Sequence, residues 1–197
     1  QQGAELKPAN LKADPENKLW WHRPARRLEA EAIRDSILFV SGKLDLRMGG
    51  PGFSLFEPNS NYVRVYKPKE TFGPDEFRRM IYMHKTRMHS DGVFGAFDCP
   101  DGGQIAPKRN VSTTPLQALW MMNSPFGIAC ADALAKRAGN PAQPDEWVSK
   151  LHRLALQRQP SRDETELMAS FLRTAGPEAP RQAAQALLAG NAFSFVD

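Results

Sequence analysis

The chain contains little of what most catalytic and cofactor sites need. Its 197 residues include two cysteines and four histidines. No Cys-x-x-Cys-His segment occurs, which excludes covalent haem attachment to this chain, and no histidine has a partner at the spacing typical of zinc ligands. A Gly-x-Ser-x-Gly elbow, which would support a serine nucleophile, is lacking as well. We therefore predict no metal site and no cofactor in this segment.

Long apolar runs and a strong charge of one sign are lacking too. No run approaches the roughly 20 apolar residues that a membrane-spanning helix needs, so we predict no membrane span. The net charge is +4, from 26 basic and 22 acidic residues, and this excess is too weak to predict nucleic-acid binding. With 41% apolar residues, the chain can bury the core of one domain or two small ones, and we predict one.

The two cysteines, Cys99 and Cys130, leave two interpretations open. They could form a disulfide if the protein is exported to an oxidising compartment. They could instead remain free thiols, because two well-separated cysteines in a chain of this length do not determine a pairing.

Helix signals dominate what is present, so the sequence predicts a mainly α fold. We expect a helical bundle with a long, irregular, loop-rich middle segment and at most a small strand pair. Residues 1–25 should form an extended arm and residues 26–112 a helix plus a loop-rich region. Residues 113–197 should form the bundle.

Local signals place most of the helices. A helix from about residue 24 or 25 to Ser41 is predicted, because Gly42 favours the left-handed conformation that ends helices. The capping boxes Thr114–Gln117 and Ser161–Glu164 should begin two further helices. Residues at helical spacing mark the expected core faces: Phe77, Met80, Ile81, His84 and Met88; Leu116, Leu119, Trp120 and Asn123; Ile128, Ala131 and Ala135; Trp147, Leu151 and Leu154; Leu167, Met168, Phe171 and Leu172; and the stretch 182–188.

The middle of the chain has weaker signals. Tyr62-Val63-Arg64-Val65-Tyr66 alternates with period two and is the best candidate for a short strand. Residues 89–111 contain six glycines or prolines, which predicts a loop, and loops of this length inside domains are usually functional or disordered.

The stretch from Arg26 to Ser36 concentrates charge in one predicted helix, with three arginines, two glutamates and an aspartate. Its apolar residues form one stripe that should enter the core. An adjacent face carries Arg27, Glu31, Arg34 and Asp35. That face is either a lattice of ion pairs or the wall of a site.

Six motifs, in order along nearly the whole chain, resemble one family. They are Asp14-Pro15-Glu16-Asn17-Lys18-Leu19, the stretch Arg26–Asp35, Phe97-Asp98-Cys99-Pro100-Asp101, Arg109, Thr113-Thr114-Pro115-Leu116-Gln117-Ala118-Leu119, and Phe193-Ser194-Phe195-Val196-Asp197. They resemble the C-terminal domain of unknown function of large planctomycete proteins, whose full-length members often carry a c-type cytochrome domain near the N-terminus. The resemblance implies the C-terminal part of an exported multidomain protein, periplasmic or extracellular, with haem in an upstream domain. It brings no established catalytic residues.

We predict a site where the charged helix meets the long loop. Asp98 and Asp101 flank Cys99-Pro100, and paired carboxylates can bind calcium or share acid and base roles. The spacing Asp-x-x-Asp-Gly-Gly does not fit an EF-hand, so we predict no metal there. The candidate binding residues are Arg27, Glu31, Arg34, Asp35, Arg64 and Arg109.

Two simpler interpretations of these residues stay open. The aspartates could accept hydrogen bonds from loop amides or pair with Arg34 or Arg109, and so hold the loop in place. Alternatively, the arginines and aspartates could line a polar cleft for a sugar or an anionic polymer, because the planar guanidinium binds carboxylate or sulfate with two hydrogen bonds.

Two functions follow from these alternatives. The first is an accessory module that binds polysaccharide or docks the cytochrome domain through an Arg/Asp-lined cleft. The second is a catalytic domain that acts on carbohydrate, with Asp98 or Asp101 as the acid or base and Arg34 or Arg109 as an electrostatic stabiliser. We predict the accessory module and keep the catalytic domain as the alternative.

Overall fold

Helices make up most of this computed structural model, which describes residues 6–23, 25–58, 66–69, 71–86, 95–100, 105 and 107–196. The mainly α prediction is confirmed. The helices are α1 Pro8–Ala13, α2 Ala30–Ser41, α3 Pro115–Asn123, α4 Pro125–Ala138, α5 Pro144–Leu156, α6 Arg162–Thr174, α7 Ala179–Ala189 and α8 Asn191–Ser194. Short 3-10 turns cover Pro74–Phe77, Met80–Tyr82 and Gly95–Phe97, and two strands are β1 Arg26–Arg27 and β2 Phe195–Val196. Within these ranges, each helix is too short or too polar to cross a bilayer.

Helix α4 lies at the centre of the bundle. It packs against α2, α3, α5 and α7, and its small residues Cys130, Ala131 and Ala135 let those helices approach closely. The same core contains large apolar side chains from the surrounding helices, among them Ile33, Ile37, Trp147, Val148, Leu151 and Leu188. Burial of this surface, rather than helix propensity, supplies most of the stability of such helices.

Three of the helix boundaries predicted from local signals are confirmed. Helix α2 ends at Ser41, and Gly42 takes the left-handed conformation with φ of 76°. Helix α3 begins with its capping box. In the second capping box, the Glu164 amide donates to the Ser161 hydroxyl at 3.2 Å and the Ser161 amide donates to the Glu164 carboxylate at 2.7 Å.

Replacing Gly42 with alanine is expected to lower the free energy of unfolding by about 1–2 kcal/mol, because L-residues are strained at this φ. An added Cβ would also lie 3.0 Å from Cδ of Arg137, whose guanidinium donates to the carbonyl of Phe39 at 3.1 Å. Urea denaturation measures the loss. Gly176→Ala is the matched control, because Gly176 has φ of 78° and open space around it. Equal losses in the two variants would contradict a role for the Arg137 contact.

The start of α2 differs from the prediction. Arg26 and Arg27 do not join the helix but pair antiparallel with Val196 and Phe195. The amide of Leu28 extends this pairing by donating to the carbonyl of Ser194 at 2.8 Å. The helix therefore begins at Ala30, and the predicted small strand pair joins distant parts of the chain. The helix start near residue 24 or 25 was wrong, because this pairing is invisible to local signals.

The helix predicted around Phe77 and Ile81 was also wrong. In its place are 3-10 turns followed by extended backbone, and the amide of His84 donates to the carbonyl of Phe53 at 2.8 Å. Ile81 is 77% exposed and His84 is exposed, whereas Met80 is buried as predicted. Met88 and most of the predicted strand 62–66 lie outside the described residues.

Two predicted core faces were partly wrong. Helix α3 buries Gln117 and Met121, while Leu116 and Leu119 are more than half exposed. Leu167 on α6 is 75% exposed.

In the arm, Pro8–Ala13 is helical rather than extended, and this helix has no buried residue.

Candidate functional site

Asp98 is held at both carboxylate oxygens. Arg27 Nη1 donates to its Oδ2 at 3.0 Å. The Ser112 amide donates to the same oxygen at 2.8 Å, and the Ser112 hydroxyl donates to Oδ1 at 2.8 Å. The Arg27 side chain is 4% exposed and that of Asp98 is 18% exposed. Asp98 thus fixes the segment 95–100 to strand β1 through a largely buried ion pair.

Asp98, Arg27 and Ser112 together form what we call the latch. Gln117, in the first turn of α3, supports it. Its amide nitrogen donates to the carbonyl of Ala96 at 2.9 Å and to that of Ser112 at 3.1 Å. Its side-chain oxygen accepts from the amide of Thr114, as the capping box requires. One side chain therefore caps the helix and also positions both segments that meet at Asp98.

The contacts of Asp98 determine its charge. Burial favours the neutral acid, but the hydrogen bonds from Ser112 and Arg27 outweigh burial and hold the pKa of the carboxyl below its usual value. Asp98 is therefore ionised at neutral pH. A general acid needs the opposite shift, towards the working pH.

A second charged network lies beside the first. Arg109 Nη1 donates to Glu31 at 2.7 Å and to Glu29 at 3.1 Å. Burial raises the pKa of Glu31, but the hydrogen bond from Arg109 and the charge of Lys85 leave it below the usual value. The other oxygen of Glu31 accepts from the Cys99 thiol at 3.7 Å.

A pocket of about 280 Å³ opens between these networks. Its wall combines charged side chains with the apolar Leu28, Phe97 and Val111 and the amide of Asn110. The charged lining consists of four cations, Arg26, Arg27, Lys108 and Arg109, and two carboxylates, Glu29 and Asp98. Both carboxylates are already paired with arginine. The pocket therefore presents a net positive surface that suits an anionic group.

The candidate residues that the structure describes lie in two separate places. Arg27, Asp98 and Arg109 line the pocket, and Glu31 lies behind Arg109. Arg26 and Lys108 also line the pocket but were not among the candidates, although each adjoins a named arginine in the sequence. Ser112 and Gln117 were missed too, since nothing local to either one indicates its distant partners.

Arg34 and Asp35 lie away from this pocket, under the 3-10 turns. Arg34 is 1% exposed, and its guanidinium donates to the carbonyl of Arg78 at 2.7 Å and also to that of Glu76. Burial raises the pKa of Asp35, which accepts from the amide of Met80 at 2.8 Å. These two residues hold the turns in place. Arg64 and Asp101 lie outside the described residues.

Cys99 and Cys130 are both free thiols, so the disulfide alternative is not realised. Burial raises the pKa of Cys130 to about 11. Across the described part of the chain, no three His, Cys, Asp or Glu residues are grouped so that they could hold a metal ion.

One comparison with known proteins gives a match. A family model described as PSD1, Protein of unknown function (DUF1553), matches residues 1–172. This match confirms the resemblance to a domain of unknown function. No curated protein and no solved structure matches the chain.

Proposed function

The chain belongs to the PSD1 family of proteins of unknown function (DUF1553), and we propose from the lining of its pocket that it is a noncatalytic module that binds acidic saccharides. The observation that carries this proposal is the charge of the pocket. Four cationic side chains face two carboxylates, and both carboxylates are already neutralised by arginine. Lys108 carries the positive charge that remains available to a ligand, because Arg26 also lies 3.8 Å from Glu29 and Arg109 also binds Glu31.

The lining suits a charged sugar better than a bare anion. Arginine binds carboxylate or sulfate with two parallel hydrogen bonds. The amide of Asn110 offers a donor and an acceptor for hydroxyl groups, and Leu28 and Val111 offer apolar contact to a ring face. The volume is slightly below the range of pockets that hold drug-sized ligands, which corresponds to one charged sugar unit of a longer chain.

The cellular location and the partner domain also belong to the proposal. We also propose the periplasmic or extracellular location that the family resemblance implies. Docking of an upstream cytochrome domain stays a prediction of that resemblance. Carbohydrate catalysis by Asp98 has less support, because its carboxylate is ionised and occupied by Arg27 and Ser112.

The proposal predicts selective binding that depends on Lys108. Isothermal titration with neutral, uronic and sulfated oligosaccharides of matched length should show binding of the two acidic kinds only. Affinity should fall as salt rises, because exposed charges are screened. Lys108→Ala should weaken binding by about 3- to 10-fold, the effect expected of one lost partly exposed charge contact.

Arg162→Ala provides the matched control. It removes one positive charge from α6, where the Arg162 side chain is 89% exposed, outside the pocket lining. This variant should bind as the unchanged protein does. Equal binding of neutral and acidic oligosaccharides, or equal weakening by the two substitutions, would overturn the proposal.

A further inference from the structure

Lys85 and Cys99 form an unusually close pair at the edge of the second charged network. Lys85 Nζ lies 2.8 Å from Cys99 Sγ. Sulfur is a larger acceptor than oxygen, yet this separation matches an ordinary N–H···O hydrogen bond. A single oxygen atom bonded to both nitrogen and sulfur spans a similar distance. Lys85 is exposed and Cys99 is half-buried, so a small oxidant can reach both atoms.

Glu31 also contacts the sulfur atom of this pair. Glu31 Oε1 lies 3.7 Å from Cys99 Sγ, and its other oxygen is bound by Arg109. Burial raises the pKa of the Cys99 thiol, and the nearby Lys85 ammonium only partly opposes this. Cys99 therefore rests as a thiol, and a covalent link to Lys85 needs an oxidant.

We propose that peroxide converts Lys85 and Cys99 into a covalent nitrogen–oxygen–sulfur bridge. One hydrogen peroxide oxidises the thiol to a sulfenic acid and is reduced to water. A second oxidises the Lys85 amine to a hydroxylamine, after the ammonium group has lost its extra proton to solvent, and is itself reduced to a second water. The hydroxylamine oxygen then bonds to sulfur, and the sulfenic hydroxyl leaves as a third water.

The electrons balance in this sequence. Sulfur and nitrogen each lose two electrons, and two peroxides accept the four. The protein gains one oxygen and loses two hydrogens, a net increase of about 14 Da, whereas oxidation of the thiol alone adds about 16 Da per oxygen. This difference in mass separates the bridge from the ordinary products of cysteine oxidation.

The bridge would change both stability and charge. It closes a loop between residues 85 and 99, which restricts the unfolded chain in the way that a disulfide does. It also removes the positive charge of Lys85, which leaves Arg109 as the cation paired with Glu31. The inference does not depend on the saccharide proposal, because it concerns atoms outside the pocket lining.

Mass spectrometry tests the inference directly. The protein is exposed to hydrogen peroxide at pH about 8.5, where more of the thiol is ionised, and its intact mass is measured. We expect a gain of about 14 Da that excess dithiothreitol reverses, because two dithiothreitol molecules return the four electrons and the bridging oxygen leaves as water. A non-reduced tryptic digest should contain one linked species that joins the peptides of Lys85 and Cys99. The thermal midpoint should rise by several degrees and return after reduction.

Three variants make the result decisive. Lys85→Arg keeps a cation near Glu31 but removes the amine, and Cys99→Ser removes the sulfur, so neither should gain the 14 Da. Cys130→Ser should retain the full gain, because Cys130 lies in the core. The inference would be overturned by no change in mass, by gains of about 16 Da or its multiples alone, or by the 14 Da product in Lys85→Arg.

Discussion

Replacing Arg34 with methionine is expected to lower the free energy of unfolding by about 3–5 kcal/mol, because its charge-assisted hydrogen bonds to two buried carbonyls are lost and those carbonyls are left unsatisfied. Those carbonyls belong to Glu76 and Arg78. The guanidinium also lies 5.0 Å from the ring centre of Phe53 and 5.8 Å from that of Phe126, which adds cation–π attraction. Urea denaturation monitored by circular dichroism measures the loss.

Two further variants define the cause of this effect. Arg34→Lys keeps the charge but not the planar fork, so it should satisfy one carbonyl at most and lose an intermediate amount. Arg162→Met replaces an exposed arginine on α6 and should change stability by about 0.5 kcal/mol or less. At 2–4 °C per kcal/mol, the Arg34→Met midpoint should fall by roughly 10 °C. A fall no greater than that of Arg162→Met would contradict the structural role of Arg34.

Replacing Asp98 with asparagine is expected to cost about 2–4 kcal/mol at neutral pH, since Arg27 would be left buried without a counter-charge. Asparagine tolerates the left-handed backbone of this position, where φ is 58°, so the substitution isolates the charge. Because the folded-state pKa of Asp98 lies below its ordinary value of 3.8, the stabilisation is present above that pH and is lost as the pH falls through the folded-state pKa. Urea denaturation across this range should show the difference between the two proteins shrinking in acid.

A double-mutant cycle gives the sharpest control for Asp98. Arg27→Met combined with Asp98→Asn should cost less than the sum of the two single changes, since the second change removes a partner already lost. Strict additivity would contradict the latch. Asp98→Asn alone tests the catalytic alternative. If Asp98 were an acid or base, this substitution would abolish carbohydrate turnover and leave the stability nearly unchanged.

Much of the fold could be predicted because its signals are local. Gly42 ends α2 through its own backbone conformation, and Ser161 and Glu164 begin α6 through mutual hydrogen bonds three residues apart. The errors occur where a distant partner takes over a backbone group. Pairing with Phe195 draws Arg27 out of the helix, and the guanidinium of Arg34 binds carbonyls of the segment 74–78.

In the candidate site, the residue types could be predicted from sequence but their pairing could not. Arg27 and Asp98 were recognised as residue types that suit a site, but they are 71 positions apart in the chain, so their pairing is a property of the fold. The second partner of Asp98, Ser112, carries no sequence signal of its own. Gln117 was expected only to cap a helix, yet its amide group also reaches Ala96. Sequence indicated the chemical groups, whereas tertiary structure decided which of them remain open to a ligand.

The pairing of β1 with β2 has a practical meaning for anyone who expresses fragments of this family. The matched range ends at residue 172, inside α6, whereas β2 lies at Phe195–Val196. A fragment trimmed to that range would leave Arg26 and Arg27 without the strand that orders them and would remove α7 from its place against α4. The range of sequence similarity therefore ends before the folded unit does. Expressed fragments should include α7 and β2.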